Sequence, residues 1–363
     1  MPTTAVVSSH SPFSFTLPPE LVAKGPPERL GIARDAVRLM VIDRGEKYGI
    51  YHTRFYGIGK FLIPGDLMIF NTSRTIPASL VGYVKPAGPL VEVRLAEHLA
   101  DDSWLALLRC QQVDNPFSCG ISKGMQIEFA QGLVATVYDP DERIQRLWKV
   151  GFSKSGTELF ESFYRIGQPI RYEYITEPWD LDYYQTVYAT NPGSAEMPSA
   201  GRPFTWKLIF DLKRNGINMA YISLHTGLSS YLDADLDQRH VASEEEYFIS
   251  SKTAEQINKT HDQGGRIIAV GTTVVRALET AAITDSIGKV NVKPGHGYTR
   301  LYIGTNHSLK VVNGLLTGLH EPEASHLDLL TAFLPPELIH QAYEEAVQRK
   351  YLWHEFGDMN LIL

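Results

Sequence analysis

Six short apolar segments follow one another between residues 79 and 152, and only brief interruptions of Gly, Pro, Asp or Asn separate them. Consecutive short strands at close spacing, without helical patterns between them, favour a small barrel or a sandwich. We therefore predict that residues 79–152 form a small β-barrel inserted into a main domain, and we find no catalytic constellation within it. The segments are SLVGYV, LVEVRLAEHL, WLALLR, MQIEFA, LVATVYD and RLWKVGF.

The rest of the chain mixes predicted strands and helices. Apolar runs at 37–43 and 66–71 predict buried strands, and TRLYIG and LKVVNG predict two more near the C-terminus. At 363 residues, the chain exceeds the usual size of one domain. We therefore predict an α+β fold of the mixed α/β type. Its barrel-like main α/β domain would comprise residues 1–78 and 153–363 and would carry the inserted β-barrel.

Composition limits the classes of function. The net charge of −7 does not favour a whole-surface nucleic-acid binder, although a local basic face is still compatible with RNA binding. No segment approaches the roughly 18 apolar residues of a membrane span, and the N-terminus lacks a signal-peptide pattern, so we expect a cytoplasmic protein without a membrane partner. Cys110 and Cys119 are too far apart for a CxxC motif, and we interpret them as packing residues without a disulfide or zinc role.

The stretch from Tyr183 to Thr205 reads YYQTVYATNPGSAEMPSAGRPFT and is too irregular for a long helix or strand. Its rings offer stacking faces, its small residues allow a ligand to approach the backbone, and its amide and hydroxyl groups offer hydrogen bonds. We predict that it is a pocket wall, with an ordered surface loop as the alternative. The proposed ligand contacts are Tyr184, Gln185, Thr186, Tyr188, Ser199, Gly201 and Thr205.

Polar residues stand at the ends of two predicted strands. Asn71 and Arg74 lie at the end of the strand at 66–71, and His225 and Gly227 follow MAYISL. Because sites often lie where the strands of a mixed sheet end, these residues are candidate ligand contacts and His225 is a candidate catalyst. A turn with a solvated arginine and a hydrogen-bonded structural histidine are the alternatives.

The clearest local unit is a helix, SKTAEQINKTHDQGG, followed by the strand RIIAVG and a second helix, TTVVRALETAA. The glycine between strand and helix permits a sharp turn, and a threonine would cap the second helix. Free amides at that helix start favour an anion by roughly 0.3–1 kcal/mol. Many strand–helix connections are built in the same way without a ligand. The candidate ligand contacts are Gly271, Thr272, Thr273, Arg276 and Glu279.

The sequence suggests no metal, NAD or ATP site. The run DADLDQRHVASE at 233–244 imitates a calcium loop, but Gln238 replaces the turn glycine. His320 and His326 are six residues apart, and Pro322 interrupts any helix between them, so they do not form a metal motif. Neither a complete dinucleotide fingerprint nor a P-loop occurs.

Taken together, these pieces resemble the S-adenosylmethionine:tRNA ribosyltransferase-isomerase family of queuosine biosynthesis across nearly the whole chain. The matching segments are LIPGDLMIFNTSR, YYQTVYA, PSAG-x-x-FT, SLHTG, GGRIIAVGTTVVRALE, LLTGLHEP, LLTAF and FGDMNLI. The resemblance implies a mixed α/β domain with a small β-barrel insertion. It also implies transfer of the ribosyl part of S-adenosylmethionine to a 7-aminomethyl-7-deazaguanine in tRNA, which gives epoxyqueuosine and releases adenine and methionine. S-adenosylmethionine is then a co-substrate, and tRNA is the expected partner.

The chain departs from the family pattern where substrate contacts are expected, so the acceptor has to be considered separately. One alternative is a divergent enzyme that consumes S-adenosylmethionine, as a lyase or transferase, but acts on a small molecule; another is a non-catalytic S-adenosylmethionine-binding or RNA-binding paralogue. The departures are Ser79 for an arginine, Arg202 and Pro203 for a leucine and a histidine, Leu228, Ser229 and Ser230 for a Gly or Thr pattern, His240 with Ser243 for two histidines, Gly318 and Leu319 for Asn-Phe, and Glu321 and Glu323 for apolar or basic residues.

Ribosyl transfer to an amine requires a base. An alkylamine with a pKa of about 10.4 is protonated at pH 7, and its deprotonation costs about 4 to 5 kcal/mol. We propose His225, Glu245 and His320 as candidates for the base. Arg74, Arg276 and the turn at 271–273 would hold the methionine carboxylate or the ribose oxygens. The sulfonium is a good leaving group, so positioning and one base would suffice without a metal.

Overall fold

The structure, a computed structural model, describes residues 15–45, 48–111, 115, 117, 120–172, 174–175, 177–228, 244–322 and 324–363. In chain order, its strands are β1 (Arg38–Asp43), β2 (Gly49–Arg54), β3 (Leu67–Asn71), β4 (Ser73–Thr75), β5 (Ser79–Val84), β6 (Leu90–His98), β7 (Trp104–Cys110), β8 (Gln126–Phe129), β9 (Val134–Pro140), β10 (Leu147–Phe152), β11 (Asn191–Ser194), β12 (Asn218–Leu224), β13 (Glu245–Ile249), β14 (Ile267–Val270), β15 (Ala282–Thr284), β16 (Val290–Val292), β17 (Gly295–Thr299), β18 (Gly314–Gly318) and β19 (Met359–Ile362). The helices are α1 (Gly156–Ile166), α2 (Trp206–Arg214), α3 (Ser251–Asp262), α4 (Thr272–Ala281), α5 (Ser325–Leu330) and α6 (Pro336–Gln348).

The main domain contains a nine-stranded sheet in the order β17-β13-β12-β3-β14-β18-β19-β1-β2. Its four central strands, β12, β3, β14 and β18, run parallel, and every residue of β3 and β14 is buried. Alternate residues of β3 enter two cores on opposite faces: Leu67 and Ile69 pack with residues of α3 to α6, and Met68 and Phe70 pack with residues of α2. Such continuous apolar runs are typical of strands that are covered on both faces.

The six segments between residues 79 and 152 form a closed antiparallel barrel in the order β10-β7-β6-β5-β8-β9, in which β9 also pairs with β10. Helix α1 packs against this barrel, since the Phe163 ring lies 5.8 Å from the Trp104 ring and 5.1 Å from the Phe152 ring. The predicted fold class, mixed α/β with a small β-barrel, is confirmed. The main sheet differs from the barrel-like form that we expected, because its strands have a linear order with β17 and β2 at the edges.

Two local predictions are wrong. TRLYIG and LKVVNG do not form strands; the strand lies at Gly314–Gly318 instead. The reason is visible at residues 310–312, whose backbone amides donate to the carboxylate of Glu279 and not to a neighbouring strand.

The interpretation of the cysteines as packing residues is also wrong. Cys110, at the end of β7, is disulfide-bonded. A spacing that excludes a CxxC motif does not exclude a disulfide that closes a longer loop.

Among the described residues, no helix combines the length and the apolar character needed to cross a bilayer.

Candidate active site

The residues proposed as bases lie at one edge of the main sheet. Because β3, β12, β14 and β18 are parallel, the residues that follow them emerge at the same edge, which we call the strand-end edge. Strand β13 runs antiparallel to β12, so its first residue, Glu245, lies at this edge as well. Ligand sites of open α/β sheets form at such edges. The fold therefore brings the three residues to one side of the molecule, where His225 and His320 follow β12 and β18 and Glu245 begins β13.

His225 is held through one nitrogen of its ring. Its Nδ1 lies 2.7 Å from Ser73 Oγ, which lies 2.6 Å from Ser194 Oγ. The backbone at Gly193 passes so close to the ring that a Cβ there would lie 2.6 Å from Nδ1. Burial lowers the pKa of His225, while Glu246 raises it and His98 lowers it. Within the described part of the chain, Nε2 has no hydrogen-bond partner.

Glu245 pairs with a different partner. It is buried, and its carboxylate forms an ion pair with Arg276 of α4, whose Nε donates to the carbonyl of Leu301 at 3.0 Å. Burial raises the pKa of Glu245, and Arg276 opposes that shift. No hydrogen bond or ion pair joins Glu245 to His225 among the described residues. The guanidinium of Arg276 thus already interacts with Glu245 and with the carbonyl of Leu301.

His320 belongs to a third group at the same edge. Its Nε2 lies 2.8 Å from Thr317 Oγ1, its carbonyl accepts a hydrogen bond from Trp353 Nε1, and its ring stacks on His326 at 4.6 Å. Burial lowers the pKa of His320 well below its usual range, and the neighbouring His326 and His354 lower it further. Since Nε2 already has a protein partner, the structure supports His320 as a base less directly than His225.

The predicted pocket wall packs against the start of α4. A Cβ placed on Gly271 would lie 3.6 Å from that of Ala200, so the turn at Ser199–Gly201 covers the end of β14. Gly271 itself is the N-cap with φ 101°, and no side chain caps the helix, which corrects the expected capping by Thr272 or Thr273. The amides of both threonines have no hydrogen-bond partner within the described residues, as an anion site at a helix start requires.

Several residues that we proposed as ligand contacts are packed in the interior of the protein. Tyr184 and Tyr188 are buried in hydrophobic cores, with ring neighbours Phe356 at 5.2 Å and Phe70 at 5.0 Å. Their faces are therefore not available for stacking on a ligand. Gly201 accommodates Tyr188, because an added Cβ would lie 1.9 Å from its hydroxyl.

The polar side chains of the pocket wall and of β3 form hydrogen bonds with the backbone of the protein. Gln185 exchanges two hydrogen bonds with the backbone of Thr75, at 2.8 and 3.1 Å. Asn71 bridges β3 and β12 through the backbone of Leu224. Thr205 accepts the amide of Leu208 at the start of α2 and donates to Asp35. These groups shape the site and are not free to bind substrate.

Glu279 has a structural role too. Its fully buried carboxylate accepts the amides of Lys310, Val311 and Val312 at 2.8 to 3.0 Å. Thr186 is buried next to Tyr188.

Arg74 is the cation of the strand-end edge that is open to a ligand. It lies on β4 directly after Ser73 and is partly exposed, and its guanidinium forms no hydrogen bond or ion pair with any described residue. Ser199 and Gly227 are also partly exposed at this edge. These positions, with the start of α4, are where the structure leaves polar groups available.

Sequence reasoning missed the hydroxyl groups around His225. Ser194 and Thr226 lie 32 residues apart in the chain, and their side chains meet only because β11 and the end of β12 converge. It also missed Glu355, whose Oε1 is buried without a hydrogen bond and whose pKa is raised to about 8 by burial and by Glu196, against Arg202.

No group of three or more His, Cys, Asp or Glu side chains suitable for a metal ion occurs within the described ranges. The calcium-like run at 233–243 and the departures at Ser229, Ser230, His240, Ser243 and Glu323 lie outside these ranges.

The chain is similar to characterised proteins over nearly its whole length. The family described as "Queuosine biosynthesis protein" matches residues 10–362. The S-adenosylmethionine:tRNA ribosyltransferase-isomerase of Carboxydothermus hydrogenoformans is 36% identical over 356 residues, covering 97% of this chain and 98% of that protein. The enzyme of the same name from Thermosynechococcus vestitus is 37% identical over 355 residues, covering 97% and 95%. The crystal structure of S-adenosylmethionine tRNA ribosyltransferase from Thermotoga maritima has a TM-score of 0.53 at 30% identity and covers 97% and 99% of the two chains.

Proposed function

Because this chain belongs to the S-adenosylmethionine:tRNA ribosyltransferase-isomerase family, we propose that the strand-end edge of its main sheet is the active site and that His225 is its base. The enzyme transfers the ribosyl moiety of S-adenosylmethionine to a 7-aminomethyl-7-deazaguanine in tRNA, forms epoxyqueuosine and releases adenine and methionine. We further propose that this reaction takes place in the cytoplasm, since its acceptor is a tRNA. We also propose that residues 79–152 are an inserted module between the two parts of the main domain, 1–78 and 153–363.

The observation that carries the assignment of His225 is its asymmetric environment. One ring nitrogen contacts Ser73 at 2.7 Å, and the other has no protein partner in the described part of the chain. The lowered pKa keeps the imidazole neutral at pH 7. A neutral imidazole with an open nitrogen accepts a proton either from the acceptor ammonium or from a carbon next to the sulfonium. Glu245 is the second candidate, because burial raises its pKa towards neutral pH.

The methionine half of S-adenosylmethionine needs a site for its carboxylate. Arg74 supplies a guanidinium without a partner among the described residues, and the first amides of α4 supply donors at the positive end of a ten-residue helix. Arg276 contributes less, because Glu245 and the Leu301 carbonyl already occupy it. We therefore assign the carboxylate to Arg74 and the residues at 271–273.

Both substrates carry cationic groups, and Glu355 provides a carboxyl group at the same edge. S-adenosylmethionine carries a sulfonium, and the acceptor carries an ammonium group before it reacts. Glu355 has a buried oxygen without a hydrogen-bond partner in the described part of the chain, and its pKa is raised to about 8, so a cation beside it would stabilise its charged form. We propose that the segment before β19, which contains Glu355, binds one of these cations.

The alternative of a small-molecule acceptor loses one of its supports. It depended in part on Arg202 as a changed substrate contact, but this side chain is 2% exposed and pairs with Glu28. We assign no role in acceptor choice to Arg202.

The assignment is tested by replacing His225 with glutamine, which keeps a polar side chain but removes the base. His225→Gln is expected to slow the release of adenine by about 100-fold under single-turnover conditions, with S-adenosylmethionine binding retained. His296→Gln is the matched control, since His296 is 70% exposed on β17 and should leave the rate unchanged. A His225→Gln enzyme that releases adenine at the wild-type rate would contradict the assignment.

A further inference from the structure

Strand β12 presents alternate residues to the two faces of the main sheet. Ile222 packs in the core formed with α3 to α6, whereas Tyr221 packs against the core that contains residues of α2. Ser223 lies on the same face as Tyr221, which we call the α2 face, and is paired with Phe248 of β13. Because directly opposite residues of neighbouring strands point to one face, Phe248 also lies on the α2 face.

The α2 face continues to β17, the edge strand of the sheet. His296 is opposite Phe248, and Tyr298 is opposite Glu246, so these four side chains share the α2 face. Phe248 is 38% exposed, Tyr298 is 51% exposed and Tyr221 is partly exposed. The centre of the His296 ring lies 4.5 Å from that of Phe248. The outer strands of this face are thus open to solvent, and we call the rings of Tyr221, Phe248 and Tyr298 the aromatic platform.

The aromatic platform borders the proposed active site. The amide of His225 donates to the carbonyl of Glu246 at 3.2 Å, and Glu246 raises the pKa of His225, so the carboxylate lies near the imidazole. Tyr298 lies directly opposite Glu246 on β17. His225 and the aromatic platform therefore belong to one continuous surface that begins at the strand-end edge.

The chemistry of this surface suits unpaired RNA. Exposed aromatic rings on a sheet bind single-stranded RNA, because each ring can stack on the flat face of a base. An enzyme that modifies a base needs this base outside a helical stack, so the adjacent nucleotides meet the protein surface near the site. The three platform rings carry no charge at neutral pH, so they favour contacts with bases over contacts with phosphates.

Positive charge for the RNA backbone lies on helix α2, which packs on the same face of the sheet. Its exposed side carries Lys207, Lys213 and Arg214, and Asp211 pairs with the first and the last of them. Three cations and one carboxylate leave this helix with an excess of positive charge. Such a charge attracts phosphates and opposes the approach of a second copy of the same helix, so it favours RNA over self-association.

We propose that the aromatic platform binds the unpaired nucleotides next to the 7-aminomethyl-7-deazaguanine of the tRNA, with Phe248 and Tyr298 each stacking on a base. The proposal rests on the proposed active site, because the platform is assigned by its continuity with His225. Phe248 and Tyr298 are substrate-binding residues and take no part in proton transfer. They contribute to the affinity for tRNA and not to the affinity for S-adenosylmethionine.

Fluorescence anisotropy with labelled tRNA that carries 7-aminomethyl-7-deazaguanine tests the platform. Phe248→Ala and Tyr298→Ala are each expected to raise the Kd for this tRNA by about tenfold, the effect of losing one stacked base. Tyr298→Phe keeps the ring and should retain the wild-type Kd. The slope of log Kd against log salt concentration should be unchanged in the alanine variants, because no phosphate contact is lost.

Tyr51→Ala is the matched control. Tyr51 is 49% exposed on β2, at the opposite edge of the same sheet, and it lies opposite Val41, a residue of the core that contains residues of α2. This variant should bind tRNA with the wild-type Kd. In every variant, calorimetry should give the wild-type Kd for S-adenosylmethionine, and adenine release at saturating tRNA should keep the wild-type single-turnover rate.

A wild-type Kd for tRNA in both alanine variants, shown to be folded by circular dichroism, would overturn the platform and leave the proposed function intact. Self-association of the wild-type protein that Phe248→Ala abolishes in sedimentation would also overturn it, by identifying this face as a contact between two copies. Failure of the proposed function has a different result, since the wild-type protein would then release no adenine with S-adenosylmethionine and this tRNA.

Discussion

Nη2 of Arg202 contacts both carboxylate oxygens of Glu28, at 3.0 and 2.8 Å, and Nε donates to the carbonyl of Tyr183. Arg202 is one of the positions where we expect the chain to depart from its family, and its partner lies 174 residues away in the N-terminal segment. Arg202 therefore forms a structural ion pair between the pocket wall and the 3₁₀ turn at Pro27–Leu30.

This pair predicts a coupling that a double-mutant cycle can measure. Glu28→Gln is expected to lower the free energy of unfolding by about 2 kcal/mol, because it leaves the buried guanidinium uncompensated. In the Arg202→Leu background, the same substitution should cost less by about 1 kcal/mol or more. Urea unfolding of the four proteins measures the coupling, and additive effects would refute the pair. Adenine release per folded molecule should change little in Arg202→Leu.

A variant of Glu279 distinguishes a role of this residue in stability from a role in ligand binding. Glu279→Gln is expected to lower the free energy of unfolding by about 2–4 kcal/mol, because an amide replaces a carboxylate that accepts three backbone N–H groups. Calorimetric titration of the folded variant should give wild-type affinity for S-adenosylmethionine. Glu344→Gln, at an exposed position of α6, serves as the control. Wild-type stability together with weakened ligand binding would indicate that Glu279 contacts the ligand and would contradict its structural role.

Arg74 is expected to bind the methionine carboxylate. Arg74→Met should raise the Kd for S-adenosylmethionine by about tenfold or more, the value of one charge-assisted hydrogen bond. Arg214→Met, on the exposed side of α2, removes an equal charge away from the site and should have no effect. Equal affinities of the Arg74 variant and wild type in calorimetry would argue against this role.

The pH dependence of the single-turnover rate follows from His225. The neutral ring is the active form and its pKa is lowered, so the rate should rise with pH to a plateau and reach half its maximum below pH 6.5. Glu246 raises this pKa and His98 lowers it, so Glu246→Gln should move the midpoint down and His98→Gln should move it up. Shifts in the opposite directions would show that another group limits the rate.

The sequence predicted those features that local pattern determines. The barrel followed from six short apolar segments, and the helix–strand–helix unit around Gly271 followed from its periodicity and glycines. The roles of the pocket-wall residues could not be predicted, because Gln185 binds the backbone of Thr75, 110 residues away, and Tyr184 turns into a core. Likewise, LKVVNG had the composition of a strand, but its amides are satisfied by one distant carboxylate.

His225 was predicted as a candidate base from its place after a strand, and the structure adds its contacts. Its Nδ1 contacts Ser73, which contacts Ser194, and Ser194 contacts Thr226; these hydroxyl residues belong to three separate segments of the chain. Such a chain of hydroxyl groups has no signature in sequence.

The most direct test of the account is a reaction of wild-type protein with S-adenosylmethionine and tRNA that carries 7-aminomethyl-7-deazaguanine. Mass spectrometry of the digested tRNA, with chromatography of the small products, is expected to show epoxyqueuosine together with adenine and methionine in equal amounts. Release of adenine without modification of the tRNA, or modification of the free base only, would contradict the account.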